Sequence, residues 1–451
     1  MSERLVVIGG DAGGMTAASQ ARRRRTKDDL SITVFEKGGW ISYSACGEPY
    51  FISGEVPELT SLLARSPEKF AQAGIDVHLH HEVVGIDTSA HTVTVKRSDG
   101  STFDESWDQL VYATGASPIR PPIPGLDSPG VHVLRTLDDA AAISELAGAS
   151  TRALVIGAGY IGVEVAEALA MRGLEVTVVD IFESVLVRTM DPEMGALAQV
   201  ELERNGVTVS VGTTIEEVLT KDGRAVGARA GDQVFDADFI VMGGGATPNV
   251  AIAEAAGIPL GPTGAIAVDD HMRTGIPGVW AVGDAAESTH RLTDLPVNFQ
   301  LGTVANKHGR VAGINLGGGD TSFPGVLGTA ITRVFDKEVA RTGLIRSEAQ
   351  AADIEVFQGS VDSSTTAGYM PEKEPMTVTV TVGADGTLLG GQIVGGKGAG
   401  KRIDTLATAI WAGLHGHDFA MADLSYAPPF SGTWDPVTIA ARRAADAAAK
   451  A

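Results

Sequence analysis

The chain has 451 residues, with 56 acidic against 35 basic side chains and a formal charge of -21 at pH 7. Apolar residues make up 44%, which excludes a disordered chain, and the length accommodates about three domains of roughly 150 residues. The negative balance argues against a general nucleic-acid binder, and the single cysteine, Cys46, excludes an internal disulfide and any cysteine-rich zinc or iron–sulfur site.

The N-terminal stretch is interrupted by Asp11 before it reaches signal-peptide length, and no run of ~18 apolar residues follows. A cytoplasmic protein without a membrane partner is expected. Residues 5–8 form a short apolar β-type run, followed by Gly9-Gly10-Asp11-Ala12-Gly13-Gly14, a helical stretch over 15–25, and a β-branched run over 30–35 ending at Glu36. Strand, glycine turn, helix, strand and acid make a dinucleotide-binding βαβ unit. Next comes Ser42-Tyr43-Ser44-Ala45-Cys46-Gly47-Glu48-Pro49-Tyr50. A lone cysteine in an apolar setting is ordinarily a small buried hydrophobe. Here it stands among polar and turn-forming residues beside a nucleotide unit, which favours a redox role.

Residues 78–108 alternate around a Ser98-Asp99-Gly100 turn and read as hairpins. The βαβ pattern then recurs: residues 153–156, Gly157-Ala158-Gly159-Tyr160-Ile161-Gly162, a helix to about 171, and a strand over 175–179 ending at Asp180. Each turn lets the backbone approach a pyrophosphate, with Gly9, Gly13 and Gly14 in the first and Gly157, Gly159 and Gly162 in the second. Glu36 and Asp180 would accept ribose hydroxyls. Asp11 takes the middle-glycine place of the first turn. Ile181 and Phe182 follow Asp180 with no arginine close by, so NADH is expected in preference to NADPH. Two dinucleotides imply that one delivers hydride and the other, a flavin, receives it. Short strands over 207–241 finish the second unit. A strand-rich piece over 377–394 and a helical stretch over 402–414 indicate a third, α+β domain, and 438–451 reads as a surface helix with a frayed tail.

The cysteine segment, read S-x-x-x-C-G-x-P-Y, resembles the single-cysteine branch of the flavin-dependent pyridine nucleotide-disulfide oxidoreductases. So do Ala281-Val282-Gly283-Asp284-Ala285, Ala113-Thr114-Gly115 and Gly244-Gly245-Ala246-Thr247-Pro248-Asn249. That branch includes coenzyme A-disulfide reductases, NADH oxidases, NADH peroxidases and persulfide reductases, and the similarity covers nearly the whole chain. It implies an α/β protein with an α+β C-terminal domain: two Rossmann-like dinucleotide-binding domains and a dimerisation domain. FAD would be held by residues 1–120 and 247–327, NADH by 121–246, and a homodimer would form through 328–451.

The resemblance also implies roles. Asp284 would lie on the flavin ribityl chain, with Ala12, Thr114 and Gly115 nearby. Tyr160 would gate the flavin, and Glu164 would face the nicotinamide amide. Ser42 and Cys46 carry the catalytic motif, joined by Tyr369 and Tyr426 of the partner subunit. Gln20, Arg22 and Arg23 match a coenzyme A-binding segment, with Arg65 as a further phosphate contact. Phe51 stands where two-cysteine members place their second thiol. Oxidised Cys46 must therefore be a mixed disulfide, a persulfide or a sulfenic acid. The helix start at 47–50 and the flavin would lower the thiol's pKa. Ala12 replaces the histidine of the peroxidases, Glu48 replaces an apolar residue of many relatives, and Asn298-Phe299-Gln300 also departs from the family. The expected activity is reduction of coenzyme A disulfide, or a related small disulfide, by NADH. NADH oxidation by oxygen, persulfide reduction and a non-enzymatic redox sensor are the competing readings.

Overall fold

Apolar runs without polar alternation belong in strands buried on both faces, and the chain builds two sheets from them. In the computed structural model, which describes residues 2–451, Glu3–Ile8 runs parallel to Leu30–Phe35 on one side and to Gln109–Tyr112 on the other. Asp76–His78 extends one edge, and Val279–Ala281 closes the other by pairing with Gln109–Tyr112. That last strand arrives only after the second sheet is complete, so the first sheet draws on two separated stretches of chain. The second sheet repeats the plan, all parallel, in the order Thr208–Ser210, Glu175–Val179, Arg152–Ile156, Phe239–Met242, Val131–Val133. Each sheet is accompanied by a three-stranded antiparallel sheet, one of His81–Asp87, Thr92–Arg97 and Thr102–Ser106, the other of Glu217–Lys221, Arg224–Ala230 and Gln233–Asp236.

The first helix, Ala12–Arg22, starts inside the glycine turn, three residues earlier than the sequence pattern indicates. It crosses the returning helix Gly302–Leu316 on small residues. A Cβ at Gly309 or Gly313 would collide with the carbonyl oxygen of Gly13 or Ala17. This close crossing fixes the turn from behind.

The C-terminal domain is a five-stranded antiparallel sheet ordered Ala330–Val334, Lys337–Gly343, Leu388–Gly395, Pro375–Gly383, Val356–Ser364. Helix Pro436–Ala448 lies against it with Val437, Ala440, Ala441, Ala444 and Ala445 buried. It is therefore a packing element and not the surface helix that its alanine content indicates. Small side chains let it approach Gly359, where a Cβ would collide with the Ala440 carbonyl oxygen.

Three polar junctions lock the domains. The crossover segments Ala116–Pro118 and Ala246–Pro248 pair as a ribbon, with Asn249 Nδ2 donating to Thr114 O at 2.9 Å and Asn249 O accepting from Thr114 Oγ1 at 2.8 Å. Buried Asp191 accepts from Gln358 Nε2 at 2.7 Å, Gln392 Nε2 at 2.8 Å and Arg346 N at 3.0 Å. Arg333 of the C-terminal sheet joins Glu167 of the second unit at 2.8 Å and Glu55 of the first at 2.6 Å. Among the described residues no helix is long and apolar enough to cross a membrane.

Candidate active site

Both glycine turns close on the same constraints. Gly9 has φ +106 and Gly157 has φ +108, a region that only glycine enters without strain. A Cβ at Gly14 would strike the Gly9 carbonyl oxygen, and one at Gly162 would strike that of Gly157. Helix and strand therefore approach as a pyrophosphate cradle requires. The strand-end acids are pinned alike. Glu36 accepts from Gly10 N at 2.8 Å and Gly38 N at 2.7 Å. Asp180 accepts from Ala158 N at 2.5 Å and Phe182 N at 2.8 Å. The two turns fit two dinucleotides, and open space lies over Gly159, where a Cβ would meet nothing within 4 Å.

The cysteine segment is tied to the first turn. Ser42, at φ 47, donates its N–H to Gly10 O at 2.9 Å and accepts from Ala64 N at 2.8 Å. Asp11 Oδ1 accepts from Tyr43 N at 3.3 Å. Cys46 itself is exposed and unpaired, in the short 3-10 turn Ala45–Gly47 that leads into helix Glu48–Ser53.

The electrostatics of this region run against the expected low thiol pKa. Partial burial pushes the Cys46 thiol up, and so do the carboxyl groups of Glu164, Glu48, Asp11 and Asp284. A six-residue helix offers too little positive field to offset four acids. Burial raises these carboxyls too, Asp11 to about 6 and Glu48 to about 8. The cation that opposes the shift at Asp11, Glu48 and Asp284 is Arg135, which donates to Asp284 Oδ2 at 3.3 Å and to Ala116 O at 2.8 Å. Asp284, enclosed and raised mainly by burial, is suited to receive a hydroxyl donor such as a ribityl chain.

From the second unit, Glu164 enters the same region. Its Oε1 accepts from Thr332 Oγ1 at 2.5 Å and burial raises its carboxyl, so it is not a solvated helix-face acid. Tyr160, at the start of the same helix, has an enclosed hydroxyl without a partner among the described residues.

Residues 3–309 match the family model of the pyridine nucleotide-disulphide oxidoreductases, and residues 329–437 match that family's dimerisation domain. The chain belongs to this family. It is 34% identical to an NADH oxidase of Methanocaldococcus jannaschii over 444 residues, covering 98% of each chain. It is 34% identical to a coenzyme A disulfide reductase of Staphylococcus aureus over 445 residues, covering 97% of this chain and 98% of that one. Its fold superposes with a TM-score of 0.93 on a NAD-dependent persulfide reductase from A. fulgidus, at 39% identity over 97% of this chain and 82% of the other. The protein is thus an oxidoreductase that uses FAD and a nicotinamide nucleotide, and it pairs with a second copy through its C-terminal domain.

The oxidoreductase places its remaining sequence-predicted residues unevenly. Tyr369 and Tyr426 lie together on exposed loops, 73% and 49% accessible, and neither is among the groups acting on the cysteine of their own chain. Arg22 is spent on main-chain carbonyls, donating to Arg25 O at 3.0 Å and Leu30 O at 2.5 Å. Gln20 is buried and accepts from Arg24 Nη1 at 2.9 Å. Neither side chain is free for a phosphate as it stands, which corrects the expectation drawn from the basic cluster. Arg25 pairs with Glu3, leaving Arg23 exposed and without an ion pair among the described residues. Arg65 is exposed, its guanidinium 5.7 Å from the Phe70 ring centroid. Ala12 and Gly13 open the first helix, and Gly115 packs on Arg135, 2.7 Å from where its Cβ would stand to Nη2. Near Asp180, Phe182 donates its N–H to the carboxylate, and the Arg188 guanidinium lies over the Phe182 ring at 5.2 Å from its centroid.

Arg135, Thr332 and Arg333 escape the sequence reading. Arg135 alone leaves a signal, since it precedes the Thr136–Asp139 capping box and so is held at a helix start. The others act across long separations that no local pattern records.

Proposed function

We propose that this oxidoreductase uses NADH to reduce coenzyme A disulfide, or a closely related low-molecular-weight disulfide, through Cys46. The observation that carries this reading is the placement of its sole thiol. Cys46 is exposed, and it feels acids from both nucleotide units, Asp11 and Asp284 from one and Glu164 from the other. Residues 1–120 and 247–327 would hold FAD through Gly9, Gly14, Glu36 and Asp284. Residues 121–246 would hold NADH through Gly157, Gly162 and Asp180, and 328–451 would supply the pairing surface. Bound FAD supplies two-electron transfer between the nicotinamide and sulfur.

The chain's own residues then do the thiol chemistry. An electron pair arriving at a Cys46 mixed disulfide breaks its S–S bond, releases one small thiolate and leaves Cys46 as a thiolate. That thiolate attacks the next disulfide, forming one S–S bond as another breaks and expelling the second thiolate. The balance is NADH, a disulfide and a proton giving NAD+ and two thiols. Tyr369 and Tyr426 of the partner subunit would protonate the departing thiolate. Arg23 and Arg65, exposed and cationic, suit the phosphates of coenzyme A. A reducing cytoplasm suits an enzyme that has no second cysteine to pair with Cys46.

Cys46→Ser is expected to retain bound flavin and NADH binding and to lose disulfide turnover, assayed as disulfide-dependent NADH consumption. Full turnover in that variant would end the proposal.

A further inference from the structure

Glu167 is a buried acid on helix Tyr160–Met171, and burying such a group is costly unless a cation meets it. The cation is Arg333, on the edge strand Ala330–Val334 of the C-terminal sheet, whose Nε donates to Glu167 Oε1 at 2.8 Å. That bond leaves the two terminal nitrogens of the guanidinium for a second partner. Both go to one acid. Nη1 donates to Glu55 Oε1 at 2.9 Å and Nη2 to Glu55 Oε2 at 2.6 Å, a bidentate geometry that fixes position as well as charge.

Arg333 also touches the cysteine helix itself. Tyr50 lies in helix Glu48–Ser53, which follows Cys46 directly, and its ring centroid is 5.2 Å from the Arg333 guanidinium. Glu55 stands just beyond the end of that helix. Ser53 Oγ links the two, 3.0 Å from Tyr50 O and 3.2 Å from Glu55 Oε2. A second arginine, Arg172 at the end of helix Tyr160–Met171, donates Nη1 to Ile52 O at 3.1 Å. The cysteine segment is bonded to the first glycine turn only ahead of the thiol, through Ser42 and Tyr43. Behind the thiol it is held by arginines of the other two domains.

We propose that Arg333 is a positioning residue for Cys46: anchored on Glu167, it grips Tyr50 and Glu55 from the C-terminal domain and so sets where the thiol stands between the two nucleotide units. This rests on the reading of Cys46 as the redox thiol. Cys46 is exposed, and its side chain is bonded to nothing among the described residues, so its place depends on the backbone that carries it. A displacement of about 1 Å between reacting groups can cost about a hundredfold in rate. Hydride delivery to the flavin draws on the two glycine-turn units, whereas electron exchange with sulfur draws on this segment. Hydrogen bonds from Arg333 hold the Glu55 carboxyl below the usual carboxylate range, so this arm of the clamp stays ionic at neutral pH.

The test separates the half-reactions in the flavin-loaded dimer, with Cys46 first freed as the thiol and dithiobis(nitrobenzoate) as the disulfide probe. Anaerobic mixing with NADH reads flavin reduction. Mixing the reduced protein with the probe reads flavin reoxidation: Cys46 attacks the probe and expels one coloured thiolate, and two electrons from the flavin then break the mixed disulfide and release the second. Arg333→Met should reduce its flavin at the parent rate and reoxidise it roughly tenfold more slowly. Glu55→Gln should slow the same step less, and both substitutions together should be no slower than Arg333→Met alone. An unchanged reoxidation rate, additive effects, or equal slowing of both half-reactions, as a merely structural ion pair would give, would overturn the proposal. If Arg333→Met does not retain flavin, Glu55→Gln decides alone by the same selective slowing. Reoxidation by the probe that survives Cys46→Ser would contradict the role of the cysteine, whereas reoxidation that needs Cys46 but ignores Arg333 contradicts the clamp alone.

Discussion

At the turn after strand Glu3–Ile8 the middle position is Asp11, whose carboxylate accepts from Tyr43 N and so reaches into the cysteine segment. At the turn after Arg152–Ile156 the same position is Gly159, with open space above it. The flanking glycines and the strand-end acids work identically in both. On the proposed assignment of the two cofactors, this difference would divide the labour. One turn is fastened to the redox segment, as suits a cofactor that stays bound, and the other is left clear, as suits a nucleotide that enters and leaves each cycle.

The sharpest way to break that comparison is to crowd each turn in the same manner. Gly14→Ala and Gly162→Ala each drive a methyl into a carbonyl oxygen, an overpacking of about 1–3 kcal/mol. Gly14→Ala is expected to lose flavin, measured as absorbance per protomer. Gly162→Ala should keep flavin and lose NADH affinity in a titration. Equal loss of both ligands in both variants would contradict the division.

A smaller effect is expected at the ribose acid. Asp180→Ala should weaken NADH binding by roughly tenfold, the worth of a charged hydrogen bond.

The smallest effect is on stability, and it sharpens the contrast by isolating Asp11. Asp11 and Glu48 have folded-state pKa values raised to about 6 and about 8. The folded chain keeps protons that the unfolded chain has already released, so their contribution to stability falls as pH rises from about 4.5 to 8. Asp11→Asn and Glu48→Gln remove that slope. Their Tm relative to the parent should climb between pH 5 and pH 8 in thermal scans, and a declining difference would show that the acids are ionised and paired.

Much of the fold was legible because two copies of one spacing, each ending in an acid, name the same unit twice. The alternation over 78–108 and the strand-rich piece over 377–394 also carry into real strands. What stayed hidden depends on partners far away in the chain. The arginines at 22–25 form a basic run in sequence, but Arg22 turns back to main-chain carbonyls and Arg25 to Glu3. Arg188 reaches Phe182 only because the intervening segment folds back. Helix Pro436–Ala448 looks surface-like because alanine is weakly apolar, yet that small side chain is what lets it seat on Gly359. The thiol's environment was misread for a related reason. A helix start is visible locally, whereas Asp11, Glu164 and Asp284 converge on Cys46 from three distant segments.

The central claim is that Cys46 cycles through a mixed disulfide with a small thiol, and intact-protein mass spectrometry before and after reduction tests it most directly. The account predicts an increment of coenzyme A mass, carried on Cys46 and removed by reduction. An oxygen-sized increment, or a persulfide sulfur in its place, would contradict it.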